Sequence, residues 1–184
     1  DIGSLTKQFT ATAILKLQES NKLSVNDPLF KFFDNVPDDK KKITVHHLLT
    51  HTAGFIANRG GGTSSNLYDV VTKTELIESA LKSKLLTLPG EEYNYSNIGY
   101  NLLAIIIEKI TADNYETFYY ENIFEPAGLT ETGYRLPKRA ANRVAINYGA
   151  DQTVYQRLLS IEAKSLPVGS PFQHLKFKEG PRFN

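Results

Sequence analysis

The stretch IGYNLLAIIIEKIT, residues 98–111, is apolar nearly all the way round a helical wheel. Such a helix has no face to offer to water, so it belongs at the centre of a fold with other elements packed around it. The rest of the chain supplies candidates. From Ser4 to about Asn21 the text reads as one helix, with Phe9, Ala13 and Leu17 in an i, i+4 row and Ile14 beside them. Asn26-Asp27-Pro28 signals a turn, and Leu29, Phe32 and Phe33 suit a short helix after it. ITVHHLLTHTAG (43–54) predicts a short helix with Thr44 as N-cap and Gly54 as its stop. Thr72 with Glu75 makes a capping box ahead of Leu76, Ile77, Ala80 and Leu81. NYETFYYENIFEPAG (114–128) predicts another helix, closed by Pro126 and Gly128. PDDKKK (37–42), NRGGGTSSN (58–66) and LPGEEYNYSN (88–97) read as solvated turns and loops. After Tyr134 the pattern changes, and RVAINY (143–148) and HLKFK (174–178) read as short strands. The expectation is an α+β chain, helical over its first three quarters.

Bulk properties narrow the function classes. A length of 184 residues suits about one domain with a sizeable core. The 21 basic and 20 acidic residues leave a formal net charge of +1, so no field steers the chain toward nucleic acid or an anionic membrane. There is no cysteine, which removes disulfides, thiolate zinc sites and thiol nucleophiles. No run is apolar for the eighteen or so residues of a membrane span. The chain also contains no methionine, so Asp1 is read as a cut or processed N-terminus that can have lost a leader or anchor.

The chemistry concentrates at GSLTK, residues 3–7. A serine hydroxyl is a poor nucleophile until a base takes its proton. Positions i and i+3 share a helix face, so Lys7 can reach the hydroxyl of Ser4 if the helix starts there. A helix N-terminus also favours negative charge developing on that oxygen. Alone, S-x-x-K also describes a capping serine and a solvated lysine. A second element strengthens the chemical reading: Tyr95-Ser96-Asn97 stands immediately before the apolar helix. A tyrosine near an ammonium can relay a proton, and an asparagine can hold a substrate amide or carbonyl.

Other features carry less. His47 and His51 are four apart, but Leu48 stands where a zinc-protease helix needs glutamate, so a packed, hydrogen-bonded role beneath the site is expected instead. Gly60-Gly61-Gly62 lacks the G-K-[ST] of a phosphate loop. Asn94-Tyr95-Ser96 matches a glycosylation sequon by chance, and Ser96 has no lysine three residues on. The run Tyr115, Phe118, Tyr119, Tyr120, Phe124 reads as core. The basic residues from Arg135 to Arg143 are too few for a nucleic-acid patch.

Taken together, IGSLTKQFTATAILKLQE, LSVNDPL, ITVHHLLTHTAG, PGEEYNYSNIGYNLLAIIIE and ENIFEPAGLTETGY resemble the serine β-lactamase and penicillin-binding protein superfamily, most closely its class C β-lactamase-related branch. The blocks run in order from residue 2 to about 134, and 135–184 match weakly. The resemblance implies a β-lactamase/transpeptidase-like fold, with this chain mainly the helical lobe and much of the antiparallel sheet missing. It implies a serine hydrolase working through an acyl-enzyme on an amide or ester, of β-lactamase, D-alanyl carboxypeptidase or esterase type. Ser4, Lys7 and Tyr95 would be catalytic and Asn97 substrate-binding, with no metal and no cofactor. The substrate would be small or peptide-like, and the location extracytoplasmic. The family's third motif, H-x-G or K-T-G on a strand, is absent after Asn97, since His174 stands in HLKF. Residues 1–184 alone are therefore expected to turn over little or no substrate. The competing expectation is a sensor-type module that acylates without turnover. A purely structural helical domain is a third.

Overall fold

The computed structural model describes residues 2–56, 72–134, 148–150 and 165–167. Residues Ile2–Tyr134 belong to one compact unit, and its centre is the apolar helix. This helix, α4, runs Asn97–Thr111, and every residue from Asn101 to Ile107 is buried. Helices α1 (Lys7–Glu19), α2 (Val45–Leu49), α3 (Lys73–Lys82) and α5 (Tyr115–Tyr119) all pack on it. They contribute Ala13, Ile14 and Leu17, then Val45 and Leu48, then Leu76 and Ala80, then Tyr115, Phe118 and Tyr119. Burying side chains of the leucine and isoleucine class contributes roughly 1.5–3 kcal/mol each, and α4 supplies more of the buried aliphatic side chains than any other helix described.

The predicted first helix is present with one difference. Its opening turn, Gly3–Thr6, is 3₁₀-helical, and α1 follows without a break. Its end is set by Asn21, which takes a left-handed φ of 55° while Lys22 N–H returns to the Leu17 carbonyl at 2.9 Å. After the Asn26–Pro28 turn the short helix is a 3₁₀ turn, Leu29–Lys31. The predicted 114–128 helix starts at Tyr115 and widens into a π-helical turn over Tyr120–Phe124. Its aromatics are core as expected, except that Tyr120 is exposed, and Phe124 meets Phe9 of α1 edge-on at 5.1 Å.

The stop of α2 differs from expectation. The helix ends at Leu49, ahead of Gly54. His51 takes a left-handed φ of 59°, its N–H reaches the Leu48 carbonyl at 3.4 Å, and Thr52 N–H reaches the His47 carbonyl at 2.9 Å. This is a Schellman ending with histidine where glycine is usual. Thr44 caps the other end as expected: its hydroxyl accepts His47 N–H at 3.4 Å, and Thr44 N–H donates to His47 Nδ1 at 3.2 Å.

The Thr72–Glu75 box of α3 is also present, with Thr72 N–H donating to Glu75 Oε2 at 2.8 Å and Glu75 N–H to Thr72 Oγ1 at 3.2 Å. Thr72→Ala removes the side-chain acceptor and should cost about 1 kcal/mol of stability, read as a lower urea midpoint at unchanged m-value.

In the second unit the described residues are strands β1 (Tyr148–Ala150) and β2 (Ser165–Pro167), paired antiparallel with Gly149 opposite Leu166. Of the expected strand 143–148, Tyr148 lies in β1 and 143–147 lie outside the described residues. The expected strand 174–178 and the loop 58–66 lie outside the described residues.

Candidate active site

Ser4 and Lys7 are brought into register by the 3₁₀ turn. With three residues per turn, positions i and i+3 fall in line along the axis. Lys7 Nζ donates to Ser4 Oγ at 3.4 Å and, more tightly, to Asn97 Oδ1 at 2.7 Å. Tyr95 O–H donates to Ser4 Oγ at 2.6 Å. The Lys7 ammonium also stands 4.9 Å from the centre of the Tyr95 ring and 5.5 Å from that of Tyr100, within cation–π range of both. The structure thus gathers Ser4, Lys7, Tyr95 and Asn97 into one cluster at the start of α1 and the start of α4. Ser4 and Tyr95 are exposed, and Lys7 and Asn97 are half-buried.

The electrostatics follow from this arrangement. Burial pushes the Tyr95 phenol up, but the Lys7 ammonium and the Ser4 hydroxyl beside it outweigh that and hold it below the ordinary tyrosine value. A tyrosine in that state can deliver a proton and can also take one as a phenolate. A hydroxyl between an ammonium and such a phenol is placed to lose its proton during attack on a carbonyl. The Asn97 side chain meets Lys7 through its carbonyl oxygen, which orients the amine toward Ser4.

Long-range contacts hold Tyr95 in place. The loop that carries it runs alongside residues 51–54: Leu86 N–H donates to Gly54 O at 2.8 Å, Gly90 N–H to Thr52 O at 2.8 Å, and Asn94 N–H to His51 O at 2.8 Å. Ser96 N–H donates to His51 Nδ1 at 3.2 Å. Ser96 is the N-cap residue of α4 and is buried, whereas Ser4 is exposed, and Asn97 is the first helical residue. Gly99, one turn on, lies so near α2 that a Cβ there would stand 3.4 Å from the Leu48 carbonyl oxygen. That contact brings the end of α2 beneath the site.

His51 and Tyr100 are the neighbours that sequence reasoning assigned no part in the chemistry. The His51 ring lies 4.5 Å from Tyr95 and 5.0 Å from Tyr100, tilted 33° to each. Tyr100 O–H donates to Leu49 O at 3.0 Å. The only signal for Tyr100 was a hydroxyl inside an otherwise apolar helix. His47 and His51 do not share a helix face, because His51 follows the end of α2, and each uses Nδ1 as an acceptor from a backbone N–H. Among the described residues no group of three or more His, Asp or Glu side chains is placed to hold a metal ion. Among them, too, no helix is long and apolar enough to cross a membrane.

The Beta-lactamase family model matches residues 1–161. Protein flp of Staphylococcus aureus (strain NCTC 8325 / PS 47) is 32% identical over 157 residues, covering 80% of this chain and 30% of that protein. The octameric penicillin-binding protein homologue from Pyrococcus abyssi is similar in structure, with a TM-score of 0.69 at 34% identity over 90% of this chain and 37% of that one. A D-stereospecific amidohydrolase from Streptomyces sp. gives a TM-score of 0.66 at 31% identity, over 80% of this chain and 48% of that one. The similarity shows the β-lactamase/transpeptidase-like fold, with the described residues mainly its helical part. The chain spans about a third of the length of the curated relatives it matches.

Proposed function

The chain belongs to the beta-lactamase family, and on that footing we propose that it carries the nucleophile of a serine hydrolase that forms an acyl-enzyme with a small amide or ester. The observation that supports this most directly is the position of Ser4 Oγ, 2.6 Å from the Tyr95 hydroxyl and 3.4 Å from the Lys7 ammonium. In the proposed reaction Tyr95, as phenolate, takes the Ser4 proton as Oγ bonds to the substrate carbonyl carbon. The Ser4 backbone N–H supplies one donor to the oxyanion. Collapse of the tetrahedral adduct breaks the bond to the amine or alcohol, which leaves with the proton held by Tyr95. Water, deprotonated by the same pair, then releases the acid and restores Ser4. Lys7 keeps the tyrosine acidic enough for both directions of transfer, and Asn97 orients Lys7 and meets the substrate amide.

The name of one similar structure, a D-stereospecific amidohydrolase, supports amide bonds as the substrate class. The same reading carries an extracytoplasmic location, which fractionation of the source cells checks.

The test is the intact mass of the native protein before and after exposure to a fluorescent penicillin or a fluorophosphonate, with Ser4→Ala as control. The expected result is one adduct that Ser4→Ala does not form, and released product over time. A stable adduct with no product would identify a sensor instead. No adduct with either probe would overturn the reading.

A further inference from the structure

We propose that His51 is a positioning residue for the proton path: from the left-handed turn that ends α2, it holds the segment carrying Tyr95 through one hydrogen bond to its backbone carbonyl, one to its ring and a ring contact, and so keeps the tyrosine hydroxyl on Ser4. The inference rests on the reading of Ser4 and Tyr95 given above. The geometry is specific. The His51 carbonyl accepts Asn94 N–H at 2.8 Å and its Nδ1 accepts Ser96 N–H at 3.2 Å, so the backbone on both sides of Tyr95 is tied to one residue. Its ring lies between Tyr95 and Tyr100, at 4.5 and 5.0 Å, and Tyr93 meets it edge-on at 5.7 Å. Glycine is the commonest residue at this place, but α1 and α4 end on Asn21 and Ala112 in the same conformation, so what sets His51 apart is what it touches. His51 adopts a φ of 59°, a conformation that L side chains take at a cost. A residue kept in such a conformation, and touching the site by both its backbone and its ring, is better explained by what it positions.

The acceptor role makes the device sensitive to pH. The groups that face the ring are Lys7 from α1, Tyr93 and Tyr95 from the loop, and Tyr100 from α4, while His47 lies back along α2. Burial and the Lys7 ammonium hold the imidazole below its ordinary value. Above this lowered value Nδ1 accepts Ser96 N–H. As pH falls through it, Nδ1 takes up a proton and the hydrogen bond to Ser96 is lost. The unfolded chain binds that proton at higher pH than the folded one does, so stability also declines as pH drops below about 6.5.

Two variants of the native protein separate positioning from plain structure. Glycine suits a left-handed φ, which offsets part of what the lost ring contacts cost, so His51→Gly should stay folded at the assay temperature yet acylate at least about tenfold more slowly, since an ångström of misplacement can cost up to ~100-fold. Asparagine also tolerates this conformation, and its amide oxygen can accept Ser96 N–H. His51→Asn should therefore be clearly faster than His51→Gly and should lose the acid limb that the native protein shows. Acylation of His51→Gly at less than a tenfold deficit, or His51→Asn no faster than His51→Gly, would overturn the proposal. A second measurement needs no reaction. The ring-carbon NMR titration of Tyr95 should move up toward the ordinary tyrosine value in His51→Gly and stay near native in His51→Asn. If the native protein forms no adduct but this titration responds, the hydrolase reading fails and the His51 linkage stands. If the native protein acylates at Ser4 and Tyr95 ignores both variants, the linkage fails alone.

Discussion

Lys7→Met should slow acylation of Ser4 by about 10³-fold, the middle of the range for loss of a positioned acid–base group and equivalent to about 4 kcal/mol of barrier. Methionine keeps the length of the side chain and most of its packing, so the loss reports the ammonium. Two consequences of removing it add. The charge that sits 4.9 Å from the centre of the Tyr95 ring disappears, and with it a main cause of that phenol's lowered value. The donor to Ser4 Oγ and Asn97 Oδ1 disappears too, so both side chains lose a shared anchor. The sign of the pH effect follows. In the native protein the phenolate forms at lower pH than in a free tyrosine; without Lys7 only burial is left to act beside the Ser4 hydrogen bond, and burial pushes it up. The residual rate of Lys7→Met should therefore climb toward pH 10, where an ordinary tyrosine ionises, while the native rate levels off earlier. Stopped-flow acylation from pH 6 to 10.5 checks this. A uniform loss with the native pH profile would mean that Lys7 anchors Asn97 without tuning Tyr95.

The elements that could be read in advance are those whose signals are local. The burial of Asn101 to Ile107 follows from an apolar run with no polar face, and the caps at Thr44 and Thr72 follow from side chains that bond within the same turn. The proximity of Ser4 and Lys7 is also local, being a matter of three positions along one helix. That Tyr95 meets Ser4 is not local: the two are 91 positions apart, and only the resemblance implied it. The misreading at Gly54 has the same origin. Glycine is the usual helix stop, so the nearest one drew the boundary, whereas the Schellman hydrogen bonds form around His51. Nothing within the segment 43–54 reveals that histidine would accept the left-handed turn. Its partners, Asn94, Tyr95 and Ser96, stand more than forty positions along the chain. Tyr100 was hidden likewise, because its hydroxyl is satisfied by the carbonyl of Leu49 on another helix.

What Gly54 does instead leads to the second large effect. It has a φ of +80°, and a Cβ added there would lie 2.2 Å from the carbonyl oxygen of Thr87. Gly54 O also accepts Leu86 N–H at 2.8 Å, so two backbones are in direct contact at this point. The left-handed conformation alone disfavours alanine by roughly 1–2 kcal/mol. The clash is with backbone, which cannot rotate aside, so the two segments must part and strain or break the Leu86 hydrogen bond. Gly54→Ala should therefore cost about 3 kcal/mol of stability, near the upper end of what single substitutions usually do. The consequence for the site is directional. Residues 51–54 hold the loop at Leu86, Gly90 and Asn94 in turn, and separating them at the first point loosens the approach to Tyr95. Acylation should fall in the folded fraction as well, at temperatures where circular dichroism still reports native helix. A variant that melts some 3 kcal/mol lower but acylates at the native rate would show that Tyr95 is held from its own end, by His51 and α4, and that the Gly54 contact serves stability alone.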